Sequence, residues 1–304
     1  MRPAAVGSEE MLPRLARIWD QIWFTRFDPV SIGMFRIFLG GLMILFYLAL
    51  TPNWDRFYAA DGIASLNQFS SPSDGWSLFR WTGFLPIRIF WLAGLVTAVL
   101  FTIGWHTRFC TIVLFALECS LLNRSPMAMN GEDVVFRMLL FWSMFAPLGY
   151  SLSLDAKHRR QAGGVDELPL IWPVRAMQIN FLMIYAISLP NKLADDVAWW
   201  TGDAVYLSII SNMWSGWPWP GMFYAFDGFL SKVFTYGTIF VEGSFPILVW
   251  FRRTRMPIIV AVACLHLGIT VILNGVTFFS LAMVCALWIF VPPEVTRRVL
   301  QWRE

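Results

Sequence analysis

Residues 30–50 read VSIGMFRIFLGGLMILFYLAL, and in these twenty-one positions Arg36 is the single charge. At about 1.5 Å per residue a helix of that length reaches roughly 32 Å, the depth of a bilayer's hydrocarbon core. The pattern recurs along the chain. Further apolar stretches lie at about 86–104, 109–123, 133–149, 171–190, 230–251, 257–274 and 276–291, parted by charged or Pro/Gly-rich connections. The expectation is an all-α, polytopic integral membrane helical bundle of about eight spans. A polar lead-in covers 1–29, the transmembrane domain 30–291, and a short tail 292–304.

Composition agrees. Charged residues make up 14% of the 304 positions, where a soluble domain carries about 25%, and 57% are hydrophobic, with seventeen Trp and twenty-seven Phe. The net charge of +3 comes from scattered Lys and Arg, which argues against a nucleic-acid binder. Cys110, Cys119, Cys264 and Cys285 lie in or beside apolar runs; free, buried thiols fit better than bridges, and no His/Cys/Asp/Glu spacing points to a metal. The first 29 residues lack the apolar core of a cleavable signal peptide. With an inward N-terminus, fourteen Lys or Arg fall on the cytoplasmic side, among them Arg108, Arg159, Arg253 and Arg298, against five outside. That bias places both termini in the cytoplasm of a multi-pass protein of the inner or plasma membrane.

Two outer connections are rich in aromatics: 51–85 with Trp54, Tyr58, Trp76 and Trp81, and 191–229 with Trp199, Trp200, Trp214, Trp217 and Trp219. Such rings favour the headgroup level, so both connections are expected along the outer surface. Ala204, Leu207, Ser208 and Ser211 repeat at helical spacing, as in an interfacial or re-entrant helix.

Charges at membrane depth are the candidates for chemistry, because each must be paired, neutral or facing a cavity. Arg36 shares a helical face with Gly33 and Gly40, small residues that let a neighbouring helix approach, and Glu242 is its partner by depth. Glu118 and His266 lie within other spans; each reads either as a hydrogen-bonded core residue or, for the histidine, as a ligand or proton-transfer group. Glu132 and Asp133 open the fourth span, where acidic groups cap a helix, and Asp133 and Arg137 have the four-residue spacing of a same-face pair. Lys192 follows Pro190, which is expected to loosen the helix end, and precedes Asp195 and Asp196. It reads as an interface anchor, or as a desolvated amine able to act as a base.

Four segments in order, FDPVSIGMFRIFLGG, LLNRSPMAMNGEDVVFRMLLFW, IYAISLPNKLADDVAWWTGDAVYL and FVEGSFPILVWFRRTR with CLHLGITVILNG, resemble the horizontally transferred transmembrane domain family. That domain is shared with vitamin K-dependent gamma-carboxylases, and the match spans about 20–292. The resemblance implies quinone-linked proton chemistry, with Lys192 in the place of the lysine that helps start quinone deprotonation. It sets Glu132, in Asn130-Gly131-Glu132-Asp133, where the carboxylases have an active histidine, and aligns His266 with another family histidine. A counterpart of the large domain that holds the carboxylases' protein substrate is not expected after the last span.

The resulting expectation is an outward-facing pocket that binds or transforms a quinone or another lipid-like molecule. Lys192, Glu132, Asp133 and His266 carry the proton chemistry, and Arg36, Arg137 and Glu242 hold the ligand. The alternatives are a non-enzymatic membrane protein that binds or stabilises a membrane or extracytoplasmic protein partner, and, more weakly, a transporter, for which no inverted repeat is visible.

Overall fold

The computed structural model describes residues 8–59, 62, 76–78, 86–124, 130–163, 167–211 and 220–301. Every apolar stretch read from the sequence contains a helix, although that of 133–149 ends at Ser143. The described helices are α1 (Ser8–Trp23), α2 (Val30–Leu50), α3 (Trp54–Tyr58), α4 (Ile87–Ile103), α5 (Thr107–Arg124), α6 (Gly131–Ser143) and α7 (Leu154–Gln161). They continue with α8 (Trp172–Asp195), α9 (Ala198–Thr201), α10 (Ala204–Ile210), α11 (Pro220–Leu248), α12 (Arg255–Ile272), α13 (Thr277–Ala286) and α14 (Pro293–Gln301). The polar lead-in is itself the helix α1, with Leu15, Ile18, Trp19 and Ile22 exposed along one face.

Among the described residues two helical segments are long and apolar enough to cross a membrane, Val30–Tyr58 and Arg255–Ile272. A third qualifies if Thr277–Phe290 and Pro293–Gln301, bent by 108°, count as one span. The structure thus gives an all-α helical bundle with two or three such spans, where the sequence reading had about eight. Length explains part of the difference: the 13 residues of α6 rise only about 20 Å, against a core of about 30 Å. Charge explains more, since α5 carries Arg108, Glu118 and Arg124.

α2 is the central post, packed against α4, α13 and α14. Two glycines set how closely α4 approaches. A Cβ on Gly94 would fall 2.3 Å from the Tyr47 ring, and one on Gly40 would fall 2.2 Å from the Thr102 hydroxyl. Small residues at such crossings let backbones make van der Waals contact that a larger side chain would prevent. Trp54 and Tyr58 do not lie along the surface as expected. Both are buried, their rings 4.7 Å apart, and the Trp54 Nε1–H donates to the Ile87 carbonyl at 3.1 Å. Trp81, Trp214, Trp217 and Trp219 lie outside the described residues.

At the opposite end of the bundle, Asp155 on α7 ties down the start of α5. Its carboxylate accepts from the His106 and Thr107 N–H groups, both at 2.8 Å, and from the Thr107 hydroxyl at 2.6 Å. Burial pushes this carboxyl up, but the Thr107 and His106 donors outweigh it and hold it below the usual carboxylate range.

Candidate functional site

Arg36 is fully buried, with 0% of its surface exposed, and does not meet Glu242. Its Nη1 donates to the Leu148 carbonyl at 3.0 Å and to the Ser151 carbonyl at 3.4 Å, and its Nη2 donates to the Leu152 carbonyl. A turn of backbone carbonyls therefore replaces the carboxylate predicted from depth. Three acceptors on one rigid fork suit the geometry of a guanidinium.

Glu242 has a different partner. Lys192 Nζ donates to both of its carboxylate oxygens, at 2.7 and 2.6 Å. This ion pair joins α8 to α11, and the ammonium also lies 4.8 Å from the centre of the Trp199 ring. The side chain of Glu242 is 8% exposed and that of Lys192 is 24% exposed. Pro190 does not loosen the helix end: α8 continues through it to Asp195, which keeps Lys192 on a helix and aims its amine at α11. Asp196 bonds instead to the Ala198 N–H at 2.8 Å, in the turn that opens α9.

One face of α8 organises a second polar contact. Tyr185 precedes Lys192 by seven residues, two turns, and so points the same way. Its hydroxyl meets His266 Nε2 at 2.9 Å, and both side chains are buried. His266 Nδ1 has no hydrogen-bond partner among the described residues. Phe181, Phe245 and Phe290 pack around Tyr185 and close the inner side. Tyr185 had not been singled out from the sequence, although its spacing from Lys192 carried the signal.

Outside the ion pair is a cavity of about 440 Å³ between α8, α10, α11 and α12. Lys192, Glu242, Trp199, Ser208 and Thr238 supply its polar lining, and the rest of its walls are mainly apolar, from Val233 and Val241 to Leu265 and Ile269. Its size is that of a small-molecule site, which spans roughly 300–1,000 Å³. The short helices α9 and α10 are held over it by α11. The Ser231 and Thr235 hydroxyls both donate to the Gly202 carbonyl, at 2.9 and 3.0 Å, and accept from the Tyr206 and Val205 N–H groups, each at 3.2 Å. α10 is thus the helix anticipated around Ala204 to Ser208, although Ser211 lies just beyond its end.

Glu132 and Asp133 belong to another cluster. The Asp133 carboxylate accepts from the Asn130 N–H at 2.8 Å, closing a capping box at the start of α6. Neither residue has a hydrogen bond or ion pair to Lys192 among the described residues, and Asp133 and Arg137 form no ion pair there. Close to this helix start are Glu118 and Tyr47, whose hydroxyl donates to Glu118 Oε1 at 3.3 Å. The two clusters are separated by one ring: Phe279 packs against His266, centroids 5.9 Å apart, and lies 3.0 Å from where a Gly131 Cβ would be.

A second cleft of about 500 Å³, at the other end near Asp155, is lined by Arg26, Arg108, Arg159 and Glu167. Its charges are already engaged: Arg26 pairs with Glu167 at 3.1 Å and Arg108 donates to the Met144 carbonyl at 3.1 Å.

The architecture is that of an all-α protein with apolar helices of membrane-crossing length and a charged pair set in an apolar cavity. A family model described as HTTM domain matches residues 24–294, and the chain belongs to the HTTM domain family. No curated protein and no solved structure matches the chain.

Proposed function

We propose that this is a multi-pass protein of the inner or plasma membrane, with about eight crossings and both termini cytoplasmic. In this reading its outward-facing cavity binds or transforms a quinone or lipid-like molecule by carboxylase-like proton chemistry. The crossings rest on the eight helical stretches and on the asymmetry of Lys and Arg between their connections. Thin helices such as α6 fit a membrane where neighbouring helices, not lipid, cover their ends.

The single observation that carries the function is the Lys192–Glu242 pair in the wall of a mainly apolar cavity. An apolar body with one polar end fits those walls. A reduced quinone, when bound, would supply an acidic hydroxyl there. Glu242 then serves as the proton acceptor, and the Lys192 ammonium stabilises the negative charge left on oxygen. Of the two roles read for Lys192 from the sequence, this division of labour uses the anchor, since its amine donates to both Glu242 oxygens. His266, hydrogen-bonded to Tyr185 behind the pair, is a positioning residue. Glu132 and Asp133 act at a distance, through the cluster beyond Phe279. Arg36 is held by the Leu148, Ser151 and Leu152 carbonyls, and neither it nor Arg137 lines the cavity.

The test is native purification in a mild detergent followed by mass spectrometry of the extracted lipids. A retained quinone or lipid-like molecule, lost in Lys192→Ala and in Glu242→Gln at matched folding, is the expected result. A co-purifying protein with no retained small molecule would favour the partner-stabilising alternative. That second reading draws on the two-oxygen geometry of the ion pair, which also clamps α8 to α11.

A further inference from the structure

The cavity beside Lys192 has two kinds of wall. Toward the bundle it is closed by packed side chains, but between α11 and α12 it is bordered by Gly237, Cys264 and Gly268. A Cβ added at Gly237 or at Gly268 would meet nothing within 4 Å. Cys264 is exposed, unlike the buried Cys110 and Cys285 and the half-buried Cys119, which corrects the expectation of four buried thiols. The surface around this gap is apolar. Phe234, Phe240, Leu267 and Val271 all present exposed side chains on the two helices, and α12 is one of the helices long and apolar enough to cross a membrane. A contiguous apolar surface on a membrane-crossing helix faces acyl chains.

The polar lining restricts what can be held. Lys192 and Glu242 neutralise one another, so an anionic head would have to displace Glu242 and a cationic head would have to displace Lys192. Either exchange leaves a buried charge without its partner. The Ser208 and Thr238 hydroxyls donate to the carbonyls of Ala204 and Phe234, each at 2.8 Å, and so turn lone pairs toward the cavity. Acceptors are therefore in excess there.

We propose that the cavity is loaded sideways from the bilayer, through the gap between α11 and α12 at Gly237, Cys264 and Gly268, by an uncharged amphiphile whose head is a hydroxyl donor. The inference rests on the ligand-binding reading of the Lys192–Glu242 cavity and adds the route of entry and the chemistry of the head. Thr238 and Ser208 receive the hydroxyl within the same lining as Glu242, the walls at Val241 and Ile269 receive the tail, and neither member of the ion pair is displaced. The small residues at the gap leave room for a chain to slide between two helices whose other contacts stay in place.

The test uses the intact protein in phospholipid nanodiscs. The probe is a long-chain alcohol carrying a photoreactive diazirine in its tail, compared with the carboxylic acid of the same length. Crosslinked peptides are counted by mass spectrometry after short and long mixing times. The alcohol is expected to label residues 233–241 and 261–273 at least fivefold more than the acid. Gly237→Leu combined with Gly268→Leu fills the gap where there is open space, and should slow loading at least fivefold with an unchanged melting temperature. Alkylating the wild type at Cys264 with N-ethylmaleimide should slow loading similarly, and Cys264→Ser should remove the reagent's effect. That arm needs no substitution in the gap, so a misfolded double variant cannot shelter the proposal. Loading at the wild-type rate in both the filled and the alkylated protein overturns lateral entry while leaving the cavity reading intact. Equal labelling by acid and alcohol overturns the uncharged head. A wild type that holds neither probe at equilibrium removes the cavity reading and this inference with it.

Discussion

Removing either member of the Lys192–Glu242 pair should destabilise the protein, but by different amounts. Lys192→Met leaves the Glu242 carboxylate, whose side chain is 8% exposed, without a cation, and breaking a buried pair from one side costs about 3–5 kcal/mol. Glu242→Gln leaves an ammonium that is better placed to survive alone. Its side chain is 24% exposed and keeps the face of Trp199 at 4.8 Å, a contact of about 0.5–2 kcal/mol. Its four-carbon stem also lets the charge shift toward the headgroups. The expected cost is therefore about 1–2 kcal/mol, near that of leaving a polar group unsatisfied. The double variant Lys192→Met with Glu242→Gln removes both charges and should be no worse than Lys192→Met alone, so the coupling is at least about 1–2 kcal/mol. Equilibrium unfolding in mixed micelles of a mild detergent and SDS measures all four proteins on one scale. Additive losses would show that the two residues do not act as a pair, and a larger loss for Glu242→Gln than for Lys192→Met would refute the argument from exposure.

Three further outcomes are expected. Asp155→Asn should cost about 1–3 kcal/mol by weakening charge-assisted bonds to the start of α5. Because the folded carboxyl lies below its unfolded value of about 3.9, its contribution is present above that pH and is lost as pH falls through the folded value; a thermal-melting series from pH 6 to pH 2 should show a smaller acid loss in the variant than in the wild type. Tyr185→Phe orphans His266 Nε2 in a buried site and should lower stability by about 1–3 kcal/mol, checked by the same denaturation assay, with His266→Phe added to Tyr185→Phe recovering part of it. A cysteine introduced at Thr254, in the connection with Arg252, Arg253 and Arg255, should resist impermeant maleimide in intact cells and react after lysis; labelling from outside would reverse the topology.

The helices were legible because apolar length is a strong signal: each of the eight stretches contains a helix, from VSIGMFRIFLGG onward. How far each one crosses a membrane was less legible, since charges such as Glu118 and short lengths such as that of α6 weaken the signal. Lys192, Glu242 and His266 were each visible as polar groups in apolar surroundings. Their partners were not. Depth gave Arg36 and Glu242 the same height in the bundle, but height leaves the angle around each helix open, and the acceptors for Arg36 are backbone carbonyls that carry no sequence signature. Pro190 was expected to loosen the end of its helix, yet α8 continues for five residues past it to Asp195. The alternation that makes α1 amphipathic was present at Leu15, Ile18, Trp19 and Ile22, masked by the polar residues between them.

The carbonyl turn that holds Arg36 has a consequence for the order in which the chain is made. The guanidinium leaves the ribosome with the first membrane helix, whereas the Leu148, Ser151 and Leu152 carbonyls follow 112 to 116 residues later. At about 5–20 residues per second, that is on the order of ten seconds of translation. Throughout that interval α2 carries a cation with no mate. It must wait at the insertion machinery or near the headgroups, and it settles to its final depth only when the turn after α6 emerges. The central post of the bundle is therefore the first strongly apolar helix synthesised, yet it is fixed only when about half of the chain has been made.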